Sequence, residues 1–200
     1  MIGVILAGGR SSRMGGGDKG LHALGGSPVL DRVIATMREQ CDHLVLNANG
    51  DADRFEAYGL PVVADDLPDY QGPLAGVLAG LDWVAAHRPK SLFVVTAPAD
   101  TPFIPKDFVA RLQDVRAEDR ALITCARSGG VSHPIAALWQ VALRHDLRKA
   151  LAREGLRKVT DFLARHPVAY ADWPVRPYDP FFNINTPEDL ATAEAIAAGR

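Results

Sequence analysis

The chain has 200 residues, 48% of them apolar, with 22 Lys and Arg against 24 Asp and Glu and a formal net charge of −2. That composition supports a large core and excludes a chiefly disordered state. It lacks the basic excess of a general nucleic-acid binder, although one bound nucleotide is compatible with it.

Ile2–Ala7 is an apolar run interrupted only by Gly3, the pattern of a buried parallel strand. Arg10 and Arg13 follow this run, the reverse of a signal peptide, and no apolar run approaches a membrane span. A cytoplasmic protein without membrane contact is expected. A loop rich in Gly, Ser and Arg continues to about Leu24. Ser27 and Pro28 then offer an N-cap and a first-turn proline for a helix over 28–40, with Val29, Leu30, Val33, Ile34 and Met37 at helical spacing. A strand is predicted at His43–Ala48, a short helix at Arg54–Tyr58, and a strand at Leu60–Ala64 that ends on Asp65 and Asp66. Gly72-Pro73 opens the next helix, whose apolar face is Leu74, Val77, Leu78, Leu81 and Val84. Leu92–Thr96 is the most strand-like segment, and Pro98 and Pro102 end it.

In the second half, Pro105–Arg116 reads as a helix. Strands at Leu122–Ala126 and Ile135–Trp139 flank a turn at Ser128-Gly129-Gly130. Helices over 141–153 and 157–165 follow, then short strands at Val168–Ala171 and Phe182–Ile184, and a helix at Pro187–Ala198. The alternation of strand and helix predicts one α/β domain over residues 1–200, with a mostly parallel sheet covered on both faces. Ligands of such sheets bind beyond the carboxyl ends of the strands.

Three of those ends carry chemistry. Residues 6–20 hold six glycines with Arg10, Arg13 and Lys19 directly after a buried strand. Glycine lets backbone N–H groups approach a phosphate closely, and the cations add charge there. The phosphate-loop motif fails, because Lys19 stands between Asp18 and Gly20. A literal GxGxxG at Gly15, Gly17 and Gly20 lies too far past the strand, with no helix opening on it, to mark a dinucleotide site. Asp100, after the central strand, is either a ligand for a hard cation such as Mg²⁺ or a turn carboxylate. Asp65 or Asp66 either accepts hydrogen bonds from a base or closes a turn. Asn47, and Asn183 with Asn185 on one side of an extended segment, are polar residues in apolar surroundings. Cys41 and Cys125 form no CxxC pair, and the six histidines show no metal-ligand spacing, so two reduced thiols and no structural zinc are expected.

The stretch LAGGRSSRMGGGDKGL at 6–21 resembles the nucleotidyltransferase signature. With VLNAN at 45–49, DDLPDYQGPLAG at 65–76, PADTPFIP at 98–105, HPIAAL at 133–138 and FNINTPEDL at 182–190, the chain resembles the bacterial molybdenum cofactor guanylyltransferases over nearly its whole length. The resemblance implies a three-layer, Rossmann-like nucleotidyltransferase fold with a mixed sheet. It implies GMP transfer from GTP to the terminal phosphate of Mo-molybdopterin, with release of pyrophosphate and use of Mg²⁺; a monomer is expected. Carried over by position, Leu6, Ala7, Gly8 and Gly9 would contact guanosine through the backbone. Asn47 and Asp65 would hold the nucleoside, and Lys19, aided by Arg13, would bind phosphates. Asp100 would ligate Mg²⁺, and Asn183 and Asn185 would face the acceptor or the metal. Cytidylyltransferase relatives usually read LAAG where this chain reads LAGG, which favours GTP over CTP. The alternatives are a transferase for another base or acceptor, and a nucleotide-binding protein without catalysis.

Overall fold

The structure is a computed structural model and describes residues 1–8, 19–67 and 72–199. Its centre is a seven-stranded sheet made of β1 (Ile2–Leu6), β4 (His43–Asn47), β5 (Val62–Val63), β6 (Phe93–Pro98), β7 (Ile123–Ser128), β8 (Val131–Gln140) and β9 (Val168–Trp173), in the order β5-β4-β1-β6-β8-β7-β9. All neighbours are parallel except those of β8, which runs against both β6 and β7. A separate two-stranded hairpin joins β2 (Ala23–Leu24) to β3 (Ser27–Pro28). The expected mixed, mostly parallel sheet is therefore present.

Period-two alternation sends successive strand residues into two cores. Ile5, Leu46, Val95, Ala97, Leu138 and Ala171 face α1 (Val29–Arg38) and α3 (Phe108–Asp119). Val4, Val45, Val94, Cys125, Ala137 and Trp139 face α2 (Pro73–His87), α4 (Arg144–Ala152) and α5 (Val159–Leu163). Helix–sheet–helix layering follows directly. A third, smaller cluster of Leu24, Val29, Ile184 and Ala193 seats α6 (Pro187–Ala197) against the small hairpin.

Two elements differ from the sequence expectation. Ser27 is not an N-cap: it pairs with Leu24 in the hairpin, and α1 begins at Val29 after Pro28 in an extended conformation (φ −53°, ψ 143°). Gly25 and Gly26 both take positive φ, as a tight two-residue hairpin turn requires, and that turn draws Ser27 into a ladder. Phe182–Ile184 joins no sheet; its backbone bonds run from Phe182 N–H to the carbonyl of Asp179 (3.1 Å) and from Ile184 N–H to that of Asp100 (3.0 Å). Helices α3, α4 and α5 also start later than expected. Pro105 only closes a turn onto Phe108 N–H, and Val141–Leu143 forms a 3-10 turn ahead of α4. No helix among the described residues is long and apolar enough to cross a membrane.

Candidate active site

The parallel strands bring three loaded ends to one edge. Ala7 N–H bonds the carbonyl of Asn47 (2.8 Å), Ala99 N–H bonds that of Leu6 (3.0 Å), and Ala48 N–H bonds that of Val63 (3.0 Å). The ladders thus run to the very end of β1, β4, β5 and β6, and Leu6, Ala7, Gly8, Asn47, Asp65 and Asp100 leave the sheet side by side.

Asn47 is buried within this edge at 2% exposure. Its amide Nδ2 donates to the Val63 carbonyl (3.0 Å) and to Asp65 Oδ1 (2.9 Å). Asn49, two residues on and on the same side of the chain, donates Nδ2 to Asp65 Oδ2 (2.8 Å). Asn49 Oδ1 in turn accepts from Asp65 N–H (2.8 Å). Both carboxylate oxygens of Asp65 are therefore fixed by amides, and each keeps free lone-pair capacity. The result is a rigid pair of acceptors.

Glycine makes room for this network at two places. A Cβ on Gly76 in α2 would stand 2.2 Å from Asn47 Oδ1 and 3.1 Å from Leu6 Cδ2, so only glycine lets the helix pass the buried amide. Gly8, which is exposed, runs past the Asn47 and Asn49 amides; its Cβ would lie 3.7 and 3.8 Å from them.

The two adjacent aspartates have separate fates. Asp66 turns away from the edge and receives Arg148 Nη2 (2.7 Å), which also bonds Asp82 of α2 (2.6 Å). Asp66 is thus paired with Arg148 of α4, while Asp65 belongs to the strand-end network.

Asp100 is half-buried, two residues past β6. Lys19 opens a short 3-10 turn, Lys19–Leu21, whose Gly20 packs on the end of β6; a Cβ there would meet Ala99 Cβ and the Ala99 carbonyl at 3.2 Å. The turn that Lys19 opens is thereby seated on Ala99, the residue before Asp100. Gly9 and Arg13 lie outside the described residues. Asn183 is exposed and Asn185 half-buried, with Ile184 between them turned into the small core. Asn185 N–H and Thr186 N–H both donate to Asp189 Oδ2 (2.9 Å each), and Thr186 Oγ1 accepts from Asp189 N–H (3.2 Å), a capping box that fixes this segment onto α6. The Ile184–Asp100 bond then joins it to the end of β6. Leu6, Ala7, Gly8, Asn47 and Asp65 thus share one edge, and the segment of Asn183 and Asn185 is tied by its backbone to the end of β6.

As a metal site, Asp100 supplies a hard oxygen donor of the kind Mg²⁺ takes. No group of three or more His, Cys, Asp or Glu gathers among the described residues. An ion held there fits only as one that draws further ligands from phosphate oxygens and water.

Sequence reasoning passed over Asn49 and a hydrogen-bonded group of Ser128, His133 and Asp179. The two-residue step from Asn47 was the available signal for Asn49. Ser128 and Asp179 carry no such signal, because 51 positions separate them in the chain.

The family model for the MobA-like NTP transferase domain matches residues 3–168. The chain belongs to this family. Its MobA-like relatives include proteins named molybdenum cofactor guanylyltransferase. That of Rhodopseudomonas palustris strain BisB5 is 56% identical, aligned over 97% of this chain and 92% of that protein. That of strain HaA2 is 57% identical over 97% and 91%. Among solved structures, molybdopterin-guanine dinucleotide biosynthesis protein A from Archaeoglobus fulgidus superposes with a TM-score of 0.77 at 25% identity, over 100% of both chains. The MobA-like fold and the resemblance drawn from the sequence motifs both stand.

Proposed function

We infer that this protein transfers GMP from GTP to the terminal phosphate of molybdopterin, forming the guanine dinucleotide form of the molybdenum cofactor. The observation that carries this is near-full-length identity above 50% to relatives bearing the guanylyltransferase name. The edge geometry supports it. Guanine offers adjacent N–H donors on one edge, and the Asp65 carboxylate, fixed by Asn47 and Asn49, offers two adjacent acceptors. Cytosine presents one amino donor beside acceptors, a poorer match to a carboxylate. This favours GTP as the donor nucleotide.

The reaction is an in-line displacement at the α-phosphorus of GTP. A phosphate oxygen of the acceptor forms the new P–O bond, and the bond to pyrophosphate breaks. A phosphate monoester has a second pKa of about 6, so the nucleophile is largely dianionic at neutral pH and needs no general base. The obstacle is repulsion between two anions. Lys19 and Arg13 offset it in this reading, and the glycine-rich loop supplies N–H donors to the phosphates. Asp100 would hold Mg²⁺, which supplies charge neutralisation at the phosphates when bound. Asn183 and Asn185 stand on the acceptor side. In this reading a single domain over residues 1–200 carries the site, and the protein works as a cytoplasmic monomer.

The test is pyrophosphate release with molybdopterin and either GTP or CTP, at defined Mg²⁺. Release should require GTP and Mg²⁺. Lys19→Ala and Asp100→Ala should each lower kcat by two orders of magnitude or more, about 3 kcal/mol of transition-state stabilisation, with Tm within a few degrees of wild type. Equal turnover with CTP would overturn the base assignment. Near-normal turnover in either variant would overturn that residue's role.

A further inference from the structure

The hairpin between β7 and β8 rises from the same carboxyl edge, and behind its turn lies a polar cluster that the reaction above does not use. Ser128, 1% exposed, donates Oγ–H to Asp179 Oδ1 (2.8 Å) and stands 2.7 Å from His133 Nε2. Asp179 Oδ1 also accepts from Phe181 N–H (2.9 Å). The His133 ring lies on Phe181, centroids 4.9 Å apart and planes 28° from parallel. Phe181 is itself locked between Trp173 (5.2 Å) and Phe108 (5.9 Å).

This is not a hydrolytic triad. The hydroxyl is buried, and the carboxylate bonds the serine instead of the histidine. The proton count fixes the roles. A hydroxyl has one proton, and here it goes to the carboxylate, so Oγ accepts from His133 Nε2–H. Nδ1 of the neutral ring is then a bare acceptor, and it has no protein partner among the described residues. Burial pushes the imidazole below its ordinary range, partly opposed by Asp179, which keeps the ring neutral near pH 7.

Position links the cluster to the site. β8 pairs with β6 only as far as Ala137 opposite Thr96, and Pro134–Ala136 bulge out between the pairs Cys125–Ala137 and Ala126–His133. His133 therefore stands past the last β6 pair, at the edge where Asp100 emerges, and a bulge of this kind re-aims a side chain. The segment that starts at Asp179 continues through Asn183 to the Ile184–Asp100 bond. Just ahead of it in the chain are two exposed apolar side chains: Val175 (43%), packed against the Gly129 turn, and Tyr178 (39%), whose ring lies 5.2 Å from Phe103.

We propose that His133 is a specificity-determining residue of the acceptor side, its tautomer locked by Ser128 and Asp179 so that Nδ1 takes a hydrogen bond from a ring N–H of the acceptor's flat heterocycle. The proposal rests on the pterin reading of the acceptor given above. A carbonyl-only or purely aliphatic acceptor would leave Nδ1 unpaired.

Two variants test it. His133→Gln keeps an N–H donor for Ser128 and loses the acceptor at the Nδ1 position; His133→Asn places an amide oxygen near that position. Binding of metal-free molybdopterin is followed by its fluorescence, GTP binding by thermal shift, and GMP transfer separately. His133→Gln should weaken pterin binding about tenfold, leave GTP affinity and Tm unchanged, and be partly rescued in His133→Asn. Pterin affinity within twofold of wild type in His133→Gln would overturn the proposal. So would parallel losses of pterin affinity, GTP affinity and Tm, which mark a purely structural role. If the wild-type protein binds pterin but transfers no GMP, the reaction reading fails while the His133 assignment stands on binding. If the wild type binds no pterin, both fall.

Discussion

Gly76 shows how one missing side chain can decide a site. In a helix interior alanine is ordinarily better than glycine by about 1 kcal/mol. Here the added methyl would enter Asn47 Oδ1, and Asn47 cannot swing aside while its amide is bonded to Val63 and Asp65. Overpacking wins, so Gly76→Ala should destabilise by about 1–3 kcal/mol. Thermal unfolding would show a fall of roughly 3–10 °C, and GTP affinity should drop because Asp65 loses one of its two amide supports. A stabilised variant would mean that the helix shifts freely. His133 belongs to the same scale. Its folded pKa is lowered from the ordinary 6.5 by burial, with Asp179 opposing. The unfolded chain therefore binds this proton more readily, and stability contributed by the neutral ring is present above pH 6.5 and lost as pH falls below it. A plot of Tm against pH from 7.5 to 5 should decline for wild type and flatten in His133→Gln; parallel curves would show that another group carries the dependence.

At the scale of elements, α6 joins the fold to the acceptor side. Its hydrophobic seat joins Ala193 to Leu24, Val29 and Ile184, with Leu190, Phe182 and Phe103 packed at the margin. The capping box at Thr186 and Asp189 starts the helix, and Asp189 also fixes Asn185 N–H. Thr186→Ala should cost about 1 kcal/mol, a fall in Tm of roughly 2–4 °C, and should raise KM for the acceptor more than KM for GTP. An equal rise in both would place α6 outside the acceptor side. The two hairpin turns illustrate a shared device. Gly25-Gly26 and Gly129-Gly130 each supply the paired positive φ of a tight turn, and each carries the chain back antiparallel within an otherwise parallel design.

For the molecule as a whole, the thiols report on global opening. Cys125 is fully buried in β7 between β8 and β9, and burial pushes its thiol up to about 12; Cys41 is likewise pushed up to about 12. Both are free, as the sequence suggested. Neither is a thiolate at pH 8, so an aromatic disulfide reagent should leave Cys125 unlabelled in the native protein and label it at the rate of global unfolding in denaturant. Rapid native labelling of Cys125 would show that the β7–β9 edge opens locally.

The residues alone determined the layered α/β class, because alternating strand and helix periods leave few ways to bury both kinds of apolar face. They also determined the family, since motif order along the chain needs no coordinates. Asn47, Asp65 and Asp100 were legible as polar residues closing apolar runs, and the strand rule placed them at one edge. Tertiary structure decided what no local pattern encodes. It sent Asp65 to the asparagines and Asp66 to Arg148, a choice made by the end of β4 facing one carboxylate and α4 facing the other. It turned Ser27 from a cap into a strand residue, because two glycines ahead of it closed a hairpin. It also assembled Ser128, His133 and Asp179 from a strand, its neighbour and a distant tail. Periodicity is a property of neighbours in sequence. Hydrogen bonds across 51 positions are fixed only when the sheet and its connections have brought those positions together.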